Sequence, residues 1–242
     1  MDRLGYTAMA AASRTMMSLE VRSNNLANVN TPGFRADLER AAEVAVPGYG
    51  YDSRHLVRVQ DNGVSLESGT LMATGRDLDF AIKGPGLVAV QTGEGEAYTR
   101  SGNLQIDAER RLTIGGRPVL GEGGPIVLPE YDAVSIGSDG TVSVMPRGDF
   151  LMAEVDRIKV VDQPAGAFTK NAAGLLVARN GRPAPAMDNP LLVSGHLESS
   201  NVSAIDQLVS SMSLNRLFET QVKMMKAAED LSSAGNRMIR GS

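Results

Sequence analysis

NNLANVNTPGFR, residues 24–35, closes a stretch rich in alanine and methionine and forces the chain to change direction. Asparagine side chains compete for backbone hydrogen bonds at helix ends, Pro32 cannot continue a helix, and Gly33 can take the left-handed conformation that a reversal needs. A helix arriving here must stop near Asn28. One does arrive: Met9, Ala12, Met16, Leu19 and Leu26, with Ser23 as the polar member, recur at the three-and-four spacing of a packed helix face. Residues 2 to about 28 therefore read as one helix, roughly 40 Å long at 1.5 Å per residue.

The other end of the chain repeats the pattern. Ser203 can cap a helix, and Val202, Ile205, Val209 and Met212 lead into Leu214, Leu217, Met224, Ala228, Leu231 and Met238 at similar spacing. Phe218, Val222 and Met225 form a second stripe beside the first. Two stripes ask for apolar contacts in two directions, more than one partner helix satisfies; the plainer alternative is a core helix of a bundle. Most of the 12 methionines, namely Met1, Met9, Met16, Met17, Met212, Met224, Met225 and Met238, lie in these end segments. Flexible thioethers suit surfaces that meet neighbours in more than one register, although ordinary core filling remains the alternative.

From Leu56 to Val193 the pattern changes to short runs rich in valine, isoleucine and leucine, among them LDFAIK, GLVAVQ, LQID, RLTI, AVSI and TVSV, separated by turn residues. Such spacing marks an all-β region. The Asp-Gly of SDG before TVSV and the Gly-Gly at 115–116 supply the positive φ of tight hairpins. The expected fold is mainly β with long terminal α-helices: N- and C-terminal helices paired as a stalk, and a central all-β domain of hairpins and meanders. Its parts are a helix and turn over 1–46, an extended connector over 47–75, a β domain over 76–195 and an axial helix over 196–242.

Chemistry is hard to place on this sequence. A net charge of −4, a pI near 5.3 and the lack of a basic run argue against nucleic acid as partner. There is no cysteine, so thiolate metal sites and disulfides are excluded, and His55 and His196 are far apart, so no metal site is expected. No run of roughly 20 apolar residues would span a membrane. Arg3 followed by LGYTAMAAAS imitates a signal peptide, but its centre is weakly hydrophobic and the helical stripe runs through the supposed cleavage point. GPGLVA at 84–89 matches a dinucleotide fingerprint, yet continues as a strand where a phosphate-binding turn must open a helix; it reads as a turn between strands. The pairs Asp77 with Asp79 and Glu94 with Glu96 could suggest a glycosidase, but solvated surface is the plainer reading. No catalytic triad, cofactor site or small-molecule substrate is expected. A secreted β-rich enzyme or a binding module stays in view as an alternative of a different class.

SNNLANVNTPGFR resembles the N-terminal signature of the bacterial flagellar rod and hook family, in which a helix ends in Asn-Asn-Leu-Ala-Asn and a Thr-x-Gly-Phe turn. The residues that carry it here are Asn25, Leu26, Ala27, Asn28, Thr31, Gly33 and Phe34. LDFAIKGPGLVAVQTGEGEAYTRSGNLQIDAERRLTIGGRPVLG is similar to the family's central β motif, and GHLESSNVSAIDQLVSSMSLNRLFETQVKMMKAAED to its C-terminal helix. Gly86-Leu87-Val88 and Asn215-Arg216-Leu217-Phe218-Glu219 depart from the commoner Gly-Phe-Phe and Gln-Arg-Ala-Tyr-Glu. Those departures, the TPGFRADL turn and the modest length resemble proximal-rod members, with distal-rod members as the alternative. The resemblance implies a subunit of a hollow helical drive shaft across the periplasm, exported by the flagellar type III pathway without a cleaved signal peptide. Its partners would be other rod subunits and the export apparatus, with no membrane insertion. On this reading Met9, Ala12, Met16, Leu19, Leu26, Val209, Met212, Leu217, Phe218, Met224 and Leu231 form the assembly interface, and Phe34 packs on the opposing terminal helix.

Overall fold

No proline interrupts residues 2–27 or 204–240, and both stretches are helical in the computed structural model, as α1 (Asp2–Ala27) and α2 (Ala204–Arg240). The structure describes residues 2–45, 55–148 and 150–240. Ser203 caps α2: its Oγ accepts the Asp206 N–H at 3.4 Å and its carbonyl the Gln207 N–H at 3.1 Å. The chain divides into two units, the first holding α1, residues 37–62 and α2, the second residues 28–36 and 63–202.

Two strands belong to the first unit in whole or in most of their length. β1 (Asp37–Ala45) and β2 (His55–Val64) pair as a two-stranded sheet. The stretch over 47–75, read from its glycines as a connector, thus carries β2 and, further on, β3 (Leu71–Ala73). All three residues of β3 are exposed, so no buried face imposes the alternation by which a strand is recognised. Residues 46–54 lie outside the described residues.

The second unit is built from short strands. After β3 come β4 (Phe80–Ile82), β5 (Leu87–Thr92), β6 (Gly95–Thr99), β7 (Gln105–Ile106), β8 (Leu112–Ile114) and β9 (Arg117–Pro118). Then follow β10 (Tyr131–Ile136), β11 (Thr141–Pro146), β12 (Ala153–Arg157), β13 (Val160–Val161), β14 (Phe168–Lys170), β15 (Leu176–Ala178), β16 (Leu192–Ser194) and β17 (His196–Glu198). They form small sheets in the orders β13-β5-β6-β15-β14, β10-β11-β12, β7-β8-β9, β16-β4 and β17-β3.

The five-stranded sheet separates two cores, and β5 shows how. Val88 and Val90 point into one cluster with Phe80, Leu104, Leu112, Val119, Ile126 and Ile158; Leu87 and Ala89 point into the other with Tyr98, Val161, Phe168 and Leu176. Burial on both faces explains why the strand reads LVAV without alternation. Gly84 and Gly86, at φ 93° and 137°, make the turn from β4 to β5, as the strand context of GPGLVA requires.

Tyr98 stands edge-on to Phe168 with ring centroids 5.3 Å apart, and its hydroxyl accepts the Ala184 N–H at 2.7 Å. Burial pushes the Tyr98 hydroxyl up to about 12, against the opposing pull of that hydrogen bond. An unfolded tyrosine ionises near 10, so the stability this group contributes is whole below about pH 10 and is lost as pH rises toward about 12. An ultraviolet titration of the chain minus that of Tyr98→Phe is expected to show one tyrosinate step near 12. A step near 10 would mean that the hydroxyl reaches water.

Two acidic residues expected on the surface are not there. Asp79 is buried and pairs with Arg76 at 3.2 Å, and Glu96 is half-buried and pairs with Lys159 at 2.8 Å. Each lies within reach of a cation, which offsets the cost of leaving water. Asp77 and Glu94 are exposed.

Candidate assembly surface and the terminal turn

The face that α1 buries is not its row of large apolar residues. Ala8, Ala12, Thr15, Ser18 and Asn25 are buried, Leu19 and Leu26 are half-buried, and Met9 and Met16 are exposed. Thr15 Oγ1 donates to Gln221 Oε1 at 3.1 Å and Arg22 Nη1 to Gln207 Oε1 at 3.4 Å, so α1 and α2 run antiparallel along this seam. On α2 the covered positions are Gln207, Ser211, Leu214, Phe218, Gln221, Met225 and Ala228, which alternate by four and three in a seven-residue repeat. Small side chains let the backbones approach, and threonine and glutamine satisfy each other where a thioether would need more room.

The residues expected at the assembly interface fall both inside and outside this seam. Of the expected α1 set only Ala12 is buried, and of the expected α2 set only Phe218 is even partly covered. Val209 and Met212 are exposed. Leu217, Met224, Leu231 and Met238 stand seven residues apart with 49%, 46%, 57% and 74% of their surface open, so they are not core residues of this chain.

The turn after α1 is held by its own side chains. Asn25 pairs with the backbone of Asp37, donating from Nδ2 to the carbonyl at 3.0 Å and accepting the N–H at 2.8 Å, as a neighbouring strand would. Within the second unit, Thr31 donates its N–H to the Asn28 carbonyl at 3.1 Å and its hydroxyl to Asn28 Oδ1 at 3.2 Å. Gly33 has φ 70°, and a Cβ there would sit 2.3 Å from the Ser101 nitrogen, so glycine is required twice over. Leu26 is half-covered and Ala27 exposed. Within the second unit, Phe34 lies beneath Lys170 of β14, with Nζ 3.9 Å from the ring centre.

Beside Gly33 lies a charge cluster that the sequence did not disclose. Glu198, 1% exposed, accepts from Arg35 Nη2 at 2.7 Å and the Gly69 N–H at 2.7 Å through Oε1, and from Arg100 Nε at 2.6 Å through Oε2. Arg100 spends its remaining donors on the carbonyls of Ile82 at 2.7 Å, Gly84 at 2.6 Å and Gly86. Arg35 Nε and Nη1 find no partner among the described residues. Burial pulls the Arg35 guanidinium below its ordinary range, and Glu198 pulls the other way. Among the described residues no group of three acidic or histidine side chains could hold a metal, and no helix is long and apolar enough to cross a membrane.

Each member of this cluster comes from a different one of three matched stretches. Residues 6–35 match the family described as flagella basal body rod protein, 81–144 the flagellar hook protein FlgE/F/G D1 domain, and 193–238 the flagellar basal body rod FlgEFG protein C-terminal region. The chain belongs to the FlgE/F/G family of flagellar rod and hook proteins. It is 37% identical to the flagellar basal-body rod protein FlgF of Escherichia coli K12 over 250 residues and to that of Salmonella typhimurium LT2 over 248, with 99% of both chains covered in each case. Its similarity to the flagellar basal-body rod protein FlgG of Bacillus subtilis 168 is lower, 30% over 251 residues, covering 93% of this chain and 95% of the relative.

Proposed function

We propose that the chain is a structural subunit of the proximal rod of the flagellar basal body, polymerising helically into the hollow shaft that crosses the periplasm and carries torque to hook and filament. The observation that carries this reading is the exposed row Leu217, Met224, Leu231 and Met238 on α2, in a chain similar to FlgF over its full length. Burying one such side chain contributes about 1.5–3 kcal/mol, and a row with one residue per heptad meets a neighbouring helix along its length. The helices pair as an axial stalk. Their outward residues, Met9, Met16, Val209, Met212, Leu217, Met224 and Leu231, meet neighbouring rod subunits, while Ala12, Leu19, Leu26 and Phe218 keep the two helices together. A place in the distal rod is the second reading, favoured only by the FlgG similarity.

Export through the flagellar type III channel requires an unfolded chain, and helices with so much uncovered apolar surface complete their folding on incorporation. Limited proteolysis of the dilute subunit is expected to remove about the first 30 and last 40 residues around a resistant β fragment, as segments of low local stability are cut first. Retention of both ends would show that the helices satisfy each other unaided, as in a monomeric binding module or enzyme, and would move the assembly surface to the β unit.

A further inference from the structure

We infer that Glu198 with Arg35 and Arg100 is a clasp that keeps residues 28–36 fixed to the β unit whether or not the terminal helices are formed. The segment has no covalent reason to stay: residues 37–62 separate it from the rest of that unit, which resumes at Gly63. Nor does apolar burial hold it, since its one buried apolar side chain is that of Ala36 and Phe34 is only half-covered. What holds it is polar and converges on 198–201. The Gly33 N–H reaches the Glu198 carbonyl at 2.8 Å, the Ala36 N–H reaches Asn201 Oδ1 at 2.7 Å, and the Asn201 N–H reaches the Phe34 carbonyl at 3.3 Å. Asn201 Nδ2 then donates to the Glu67 carbonyl at 2.9 Å, and Lys170 Nζ to the Arg35 carbonyl at 2.8 Å.

The consequence is geometric. Ala36 is bonded to Asn201 and Gly33 to Glu198, so the segment that follows α1 is fixed beside the one that leads into α2. A chain whose exits are fixed in this way presents the sequences of α1 and α2 to each other at high effective concentration, and the closure entropy of their pairing is already met. A unit with free ends would have to find that register from solution. The clasp stands independently of the rod reading, and only its use in assembly rests on it.

Hydrogen exchange on the full-length, dilute chain tests this. In the parent chain the amides of Gly33 and Ala36 are expected to exchange as slowly as those of Leu112 and Val119, which lie in the β core. Thr15→Pro breaks α1 and is expected to leave Gly33 and Ala36 protected. Glu198→Gln is expected to speed Gly33, Ala36 and Gly69 at least tenfold more than it speeds Leu112 and Val119. If that variant unfolds the whole unit, Arg35→Met, which leaves the Glu198–Arg100 pair intact, is expected to speed Gly33 and Ala36 over Leu112 and Val119 by a similar factor. Loss of protection at Gly33 and Ala36 in Thr15→Pro, or no speeding of Gly33 and Ala36 beyond that of Leu112 and Val119 in Arg35→Met, would overturn the clasp.

Discussion

A strain whose only copy of the chain carries Leu217→Asp is expected to build no complete rod and not to swim, while the purified variant unfolds within about 0.5 kcal/mol of its parent, the usual range for a surface substitution. The two halves of this expectation come from one fact: Leu217 is 49% exposed in the single chain. A carboxylate there stays in water as long as the subunit is free and costs the helix only its modest propensity. Once a neighbouring helix covers the row, the same carboxylate must be desolvated without a partner, which costs several kcal/mol. A factor of ten in affinity corresponds to 1.4 kcal/mol, and in a polymer the penalty recurs at every repeat of the contact. Leu231→Asp, one row position short of Met238, is expected to behave alike. Normal swimming by either strain, with the subunit present at parental level, would remove the row from the assembly interface.

What could be read from the sequence was whatever local chemistry decides. The end of α1 was legible because Pro32 and Gly33 act on the backbone directly, and the helix stops at Ala27. The turn between β4 and β5 was legible for the same reason. The antiparallel seam was not, because hydrophobic periodicity weighs methionine and leucine, whereas the buried positions of this seam include Ala12, Thr15, Ser18, Gln207 and Gln221, and Met9, Met16, Met212 and Met224 stand outside it. A search for small and amide-bearing residues at heptad spacing would have found it. Glu198 was illegible for another reason: its partners lie 163 and 98 residues away, and an isolated carboxylate in a row of serines looks like any exposed acid. Arg35 closes NNLANVNTPGFR and Arg100 lies inside the central β motif, but nothing in either stretch points to the other.

Glu198→Ala is expected to destabilise the β unit by about 3–5 kcal/mol, the cost of breaking a buried ion cluster from one side. At a urea dependence of about 2 kcal/mol per molar, the unfolding midpoint falls by roughly 2 M. The loss arises less from the missing attraction than from what stays behind, two guanidinium groups at 3% and 4% exposure with no counter-charge and a Gly69 N–H with no acceptor. The two arginines should then differ in a predictable order. Arg100→Met orphans the carbonyls of Ile82, Gly84 and Gly86 as well as Glu198 Oε2, and is expected to cost as much as Glu198→Ala. Arg35→Met removes a group whose Nε and Nη1 already lack partners and leaves Glu198 bonded to Arg100 and Gly69, so it is expected to cost about half as much. Equal losses for the two arginines would mean that charge count alone matters and that the carbonyls between β4 and β5 do not depend on Arg100. A loss below about 1 kcal/mol for Glu198→Ala, within the range of an exposed ion pair, would mean that the cluster opens to water in solution and holds nothing.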